Sequence, residues 1–120
     1  MVQFEKCLCN STPVKFNNVF DLIERKLAPN LRIEELARAY GTTLHAFSMA
    51  FARNTGMSPK AYLKRRLNQE AMQLLLNTDL KIKEVASQLR FSDEFHFSRF
   101  FRTANGLAPL QYRRAFARFA

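Results

Sequence analysis

Arg99 carries the most specific chemistry this chain has to offer. Phe97 and Phe101 lie one turn apart and define the apolar stripe of a helix, and Arg99 falls outside that stripe, mid-helix. A guanidinium presented this way can hydrogen-bond to the O6 and N7 of guanine at once, for about 1–3 kcal/mol of discrimination. The competing reading is a solvated side chain or an ion pair with Asp93 or Glu94. Glu94, Phe95, Ser98 and Arg102 share the face of Arg99. Fifty residues earlier, the face opposite Phe47 and Phe51 carries His45, Ser48, Met49 and Arg53, of which His45 and Ser48 are the weaker candidate readers. Phe95 also leaves the apolar stripe. It is either an exposed ring able to touch a thymine methyl group or a partly buried edge residue.

A second set of residues suits phosphate. Lys60, Lys64, Arg65 and Arg66 crowd the first half of a long helix, where cations oppose the helix dipole and an approaching phosphate would offset that cost. Such contacts give affinity and register without sequence information. Arg113 and Arg114 occupy the equivalent place further on, and Arg53 and Arg102 add a cation to each reading face. Thr43 and Ser92, at helix starts, offer a hydroxyl and backbone N–H groups to phosphate. For all of these the alternative is an ordinary solvated surface.

The elements that would position these groups come as a repeat. Gly56-Met57-Ser58-Pro59-Lys60-Ala61-Tyr62 returns as Gly106-Leu107-Ala108-Pro109-Leu110-Gln111-Tyr112 at an offset of 50 residues. Phe47-Ser48 and Phe51 return at the same offset. Ile33, Glu35 and Ala37 return at an offset of 49, which places one inserted residue between Thr43/Ser92 and Phe47/Phe97. A period of this size is one supersecondary unit used twice. Each copy reads as a short helix, a tight turn and a second helix with an apolar i, i+4 stripe, the helix-turn-helix pattern. In the first copy Ile33–Tyr40 ends at Gly41, and Thr43 caps a helix over about Leu44–Asn54. In the second, Ile82–Leu89 is followed by a turn at Arg90-Phe91, and Ser92 caps a helix running to about Asn105. Ser58 and Pro59 start the long helix between them, with Leu63, Leu67, Ala71, Leu74 and Leu75 on its apolar stripe, and Pro109 opens a last helix through Phe119. An earlier helix, capped by Asn17-Asn18, carries Val19, Phe20, Ile23 and Leu27 and stops before Pro29.

These spans predict an arm or the remnant of a preceding domain at 1–16 and a single domain at 17–120. The first unit lies at about 31–56, the linker helix at about 59–77 and the second unit at about 81–119. At about 1.5 Å per residue the linker spans roughly 30 Å, close to the ~34 Å turn of B-DNA.

Composition narrows the classes. With 48% hydrophobic residues, 3 Gly and 4 Pro, and little strand-like alternation, the 120 residues predict an all-α protein. The net charge of +9 suggests a polyanion partner. It is uneven: residues 1–50 hold six Lys/Arg against five Asp/Glu, residues 51–120 thirteen against five. No apolar run reaches a membrane span and no signal peptide precedes the first helix, so a cytoplasmic protein is expected. Cys7 and Cys9 read as reduced thiols. With His45 and His96 in different repeats there is no metal ligand set, and no cofactor is expected. No nucleophile–base pair or Gly-rich phosphate loop argues for an enzyme.

With both units in place, the chain resembles the DNA-binding domain of the AraC/XylS family of bacterial transcription regulators over about residues 19–115. The second unit carries the signature: Ile82-x-Glu84-Val85-Ala86-x-x-Leu89-x-Phe91-Ser92-Asp93, then Phe97-Ser98-Arg99-x-Phe101-Arg102, then Gly106-x-x-Pro109-x-x-Tyr112-Arg113. The resemblance implies a seven-helix tandem helix-turn-helix fold and promoter binding to double-stranded DNA, usually with transcription activation. By position, it implies base contacts at His45, Ser48 and Met49 in the first unit and at Glu94, Phe95, His96, Ser98 and Arg99 in the second. Arg90 stands where the family usually has Gly, which implies a strained turn. Met49 and Ala52 stand where polar or basic residues are common, which implies weaker base reading by the first unit. Most members carry an effector-binding or dimerisation domain, usually N-terminal, so the resemblance implies either an excised C-terminal domain, the favoured reading, or a short single-domain member. The competing hypothesis is a protein-interaction module that keeps the fold, with Met49, Ala52 and Phe95 as a surface for a partner such as RNA polymerase.

Overall fold

The computed structural model describes residues 12–117, and the side chains from residue 16 onward. Cys7, Cys9 and most of the expected N-terminal arm lie outside them. Among the described residues there are seven helices and no strand: α1 (Thr12–Lys26), α2 (Ile33–Tyr40), α3 (Leu44–Thr55), α4 (Pro59–Asn77), α5 (Ile82–Gln88), α6 (Glu94–Asn105) and α7 (Pro109–Phe116). They form two compact units, dividing between Leu63 and Lys64 within α4.

The first unit packs α1, α2, α3 and the start of α4. Its core is Phe16, Val19, Ile23, Leu36, Ala37, Phe47, Phe51 and Leu63. α1 starts at Thr12, five residues before the expected caps Asn17 and Asn18, which are instead exposed positions inside the helix. Pro13 is tolerated there because a helix's first turn has no use for its missing N–H. The extension matters because it carries Phe16 into the core, its ring centroid 4.9 Å from that of Tyr40 and 5.9 Å from that of Phe51.

The second unit buries Leu67, Ala71 and Leu75 of α4, Val85 and Ala86 of α5, Phe97 and Phe101 of α6, and Leu89 and Phe91 between α5 and α6. Phe101 meets Tyr112 of α7 edge-on at 5.2 Å. Asn68 and Asn105 tie α4 to α6 with a reciprocal pair of amide hydrogen bonds, 3.0 and 2.7 Å long. Each side chain thereby satisfies the other in a half-buried place where an open amide would be costly.

The two turns share one geometry. Thr42 N–H donates to the Ala37 carbonyl at 3.1 Å, and Phe91 N–H donates to the Ala86 carbonyl at 2.9 Å. Both bonds need a left-handed residue just before the donor. Gly41 takes it at φ 92° and Arg90 takes it at φ 69°, where a side chain is strained. The inserted residue lies in this turn and not in the start of the helix. The first turn has Thr42 alone between its left-handed residue and the cap, whereas the second has Phe91 and Ser92. The cap of α6 is therefore Asp93, not Ser92: an Asp93 carboxylate oxygen accepts from His96 N–H at 2.8 Å. Thr43 Oγ1 caps α3 by accepting from Ala46 N–H at 3.2 Å. Phe91 corresponds to Thr42 and Ser92 is the extra residue; Phe91 is buried and touches Phe97 and Phe100 at ring distances of 5.2 and 5.3 Å.

Candidate nucleic-acid interface

Each unit presents one 12-residue helix, α3 or α6, whose inner stripe is wholly buried and whose opposite face is open. Phe47, Phe51, Phe97 and Phe101 have no exposed surface, which fixes the rotation of both helices. On α3 this leaves His45, Ala52 and Arg53 exposed, Met49 49% exposed and Ser48 half-buried. On α6 it leaves Glu94, His96, Arg99 and Arg102 exposed, Phe95 80% exposed and Ser98 half-buried. The two helices align without a gap, so Phe95 stands for His45, Ser98 for Ser48, Arg99 for Met49 and Arg102 for Ala52. The face of α6 is cationic where that of α3 is apolar.

Within the second unit a groove of about 590 Å³ runs between α4 and α6. Lys64, Arg65 and Asn68 form one wall; His96, Arg99 and Phe100 lie on the other. Arg99 makes no ion pair with Asp93 or Glu94 among the described residues. Asp93 is occupied as the helix cap. His96 is held in place: its Nδ1 is 3.1 Å from Ser92 Oγ, and its ring meets Phe91 edge-on at 5.2 Å. Where a phosphate contact was expected of Ser92, the structure shows its hydroxyl against a neighbouring ring.

The expected phosphate-contacting cations fall into two groups. Lys60, Lys64, Arg65, Arg53, Arg102 and Arg114 are exposed. Two others, both half-buried, have partners within the second unit. Arg66 Nη1 lies 3.0 Å from Glu70 Oε1, one turn along α4. Arg113 turns inward, donating through Nε to the Leu75 carbonyl at 3.0 Å, through Nη2 to the Thr78 carbonyl at 3.1 Å and through Nη1 to the Leu80 carbonyl. It closes the C-terminal end of α4, where carbonyls lack helical partners and a cation suits the dipole. Where a phosphate contact was expected of Arg113, the structure shows these three carbonyl bonds.

Asn68 and Phe100 shape the groove and were not among the expected site residues. Asn68 had a signal, an amide beside the Leu67/Ala71 stripe that needs a partner. Phe100 had none, since it becomes half-buried only through Phe91. Among the described residues, no group of three His, Cys, Asp or Glu side chains gathers as metal ligands, and no helix is long and apolar enough to cross a membrane.

This arrangement is shared with known proteins. A family profile described as "Helix-turn-helix domain" matches residues 36–115. The HTH-type transcriptional regulator ExsA of Pseudomonas aeruginosa is 30% identical over 91 residues, covering 76% of this chain and 33% of that protein. The virulence regulon transcriptional activator VirF of Yersinia enterocolitica is 31% identical over 91 residues, 76% of this chain and 34% of that protein. The chain therefore spans about a third of the length of these relatives. Among solved structures, the DNA-binding domain of AdpA, a global transcriptional factor, was crystallised with a target DNA. It superposes with a TM-score of 0.75 at 26% identity, covering 84% of this chain and 91% of that one. Fold, repeat and relatives agree, and none points to an enzyme: the chain belongs to the AraC/XylS-type family of helix-turn-helix DNA-binding transcription regulators.

Proposed function

We propose that this chain binds one specific duplex site, with α3 and α6 in successive major grooves, and that it regulates transcription as an activator. The observation that carries the reading is Arg99. It is exposed mid-helix, opposite two wholly buried Phe residues, with Lys64 and Arg65 across the groove and no carboxylate paired with it among the described residues. Arg99 is the guanine reader; Glu94, Phe95, His96 and Ser98 complete the reading face of α6, and His45, Ser48 and Met49 form that of α3. Lys60, Lys64, Arg65, Arg53, Arg102, Arg114 and the N-terminal end of α3 at Thr43 hold phosphates. α4, the linker between the two units in the chain, is 19 residues long, about 28 Å of helix. The crystallised AdpA complex and the activator VirF support the same reading.

The exposed Met49, Ala52 and Phe95 favour a second reading, a protein-docking surface with only non-specific DNA affinity. Selection from a random duplex library separates the two. An enriched site with two blocks about 10 base pairs apart supports the regulator. Equal, salt-sensitive binding to every duplex refutes sequence-specific reading and leaves the docking surface. Activation is tested by placing the selected site upstream of a reporter promoter, where the chain, in its natural context, should raise expression.

A further inference from the structure

Phe95 is the most exposed large apolar side chain among the described residues, at 80%. The other rings of its unit interlock: Phe91 with Phe97 and Phe100, Phe97 with Phe101, Phe101 with Tyr112. Phe95 has no such ring partner and sits in the first turn of α6, where it contributes nothing to the core. A ring left in water forfeits what its burial would bring.

Phe95 and Arg99 are four residues apart on α6, so their side chains leave the same face one turn apart, about 5–6 Å between Cβ atoms. Base pairs stack about 3.4 Å apart, so the two reach base pairs one or two steps from each other. Arg99 suits the O6 and N7 of guanine. A phenyl ring has no donor or acceptor, and the one apolar feature on a major-groove base edge is the C5-methyl group of thymine. Cytosine carries the same methyl once it is 5-methylated.

From this pairing we infer that α6 reads a 5-methylpyrimidine within two base pairs of the guanine held by Arg99, and that Phe95 recognises the methyl group itself. This rests on α6 being a recognition helix, as proposed above. It makes the affinity of the chain sensitive to cytosine methylation at that position. α3 has His45 and Met49 at the two corresponding places, so the dependence belongs to one half of the site.

The test starts from the selected site. Arg99→Ala locates the guanine, whose replacement should then cost nothing further. Each thymine within two base pairs of it is replaced by deoxyuridine, by cytosine and by 5-methylcytosine, and binding of the 120-residue chain is followed by fluorescence anisotropy at fixed salt. At one thymine, uracil should weaken binding about fourfold, the worth of one buried methyl-sized group. Cytosine should weaken it likewise, and 5-methylcytosine should restore most of the loss. In Phe95→Ala these differences should vanish while the thermal melting point stays unchanged, because the ring packs against nothing. Phe95→Leu should keep part of them. Uracil tolerated at every thymine, or a full uracil penalty surviving in Phe95→Ala, overturns the inference and leaves the selected site, and the regulator, intact. Failure to enrich any site overturns both.

Discussion

At the scale of single residues, Arg113 has consequences opposite to those of an open phosphate contact. Arg113 donates three hydrogen bonds to carbonyls at the end of α4. Bonds to a charged donor contribute more than neutral ones, and removing the donor leaves part-buried carbonyls unmet. Arg113→Ala should therefore cost about 2–3 kcal/mol in urea denaturation, while the folded variant keeps the salt dependence of DNA binding. A salt slope reduced by one, with stability unchanged, would return Arg113 to the phosphate contacts. Arg90 runs the other way. Its φ of 69° is a conformation a side chain adopts at a cost and glycine does not. Arg90→Gly should raise stability by about 0.5–1 kcal/mol after the added freedom of the unfolded chain is deducted. A loss of stability on the same denaturation curve would mean that the Arg90 side chain makes a contact worth more than the strain.

At the scale of elements, α3 and α6 are the same 12-residue helix started by different chemistry. Thr43 caps one with a hydroxyl and Asp93 caps the other with a carboxylate, which also complements the dipole. Asp93→Ala should destabilise the chain by about 1 kcal/mol, and Asp93→Asn by much less, since an amide oxygen still accepts from His96 N–H. Thermal melting distinguishes this from a cap at Ser92, for which Ser92→Ala would show the larger loss. In the second turn Phe91 is buried where its counterpart Thr42 is exposed, and Ser92 is the inserted residue. The Phe91 ring meets His96 and Phe100, and the inserted Ser92 holds His96 through its hydroxyl, so the longer turn shapes a wall of the α4–α6 groove.

At the scale of the whole molecule, the charge of +9 is concentrated after residue 50 and stands on structured helix surfaces. Lys64 and Arg65 are exposed on α4 beside Arg99, and neither makes an ion pair among the described residues. Replacing both with Ala should lower the slope of log affinity against log salt by about two and weaken all duplexes alike. A change in which sequence is preferred would instead make one of them a base reader. Met49 and Ala52 on α3 correspond to Arg99 and Arg102 on α6, so on the proposed reading direct guanine contact belongs to α6.

The amino-acid sequence by itself determined the all-α class, the tandem repeat, the turns at Gly41 and Arg90, and the rotation of both reading helices. Those features follow from local rules: a helical period exposes one face when the other is Phe, and a left-handed turn needs a residue that will adopt it. Only the tertiary structure decided what depended on partners distant in sequence or on competition between neighbours. Asn17-Asn18 favours a helix start, yet burying Phe16 against Tyr40 and Phe51 draws the helix back to Thr12. Ser92 and Asp93 are both good caps, and the turn geometry selects Asp93. Arg113 reads as a surface cation until α7 brings it to the carbonyls at the end of α4, more than 30 residues away in the chain. Asn68 declares an amide in need of a partner, and only α6, by delivering Asn105, decides which. A charge or an amide declares its type in sequence, but its partner is chosen by packing, because the free energy of an unmet polar group depends on what the fold places beside it.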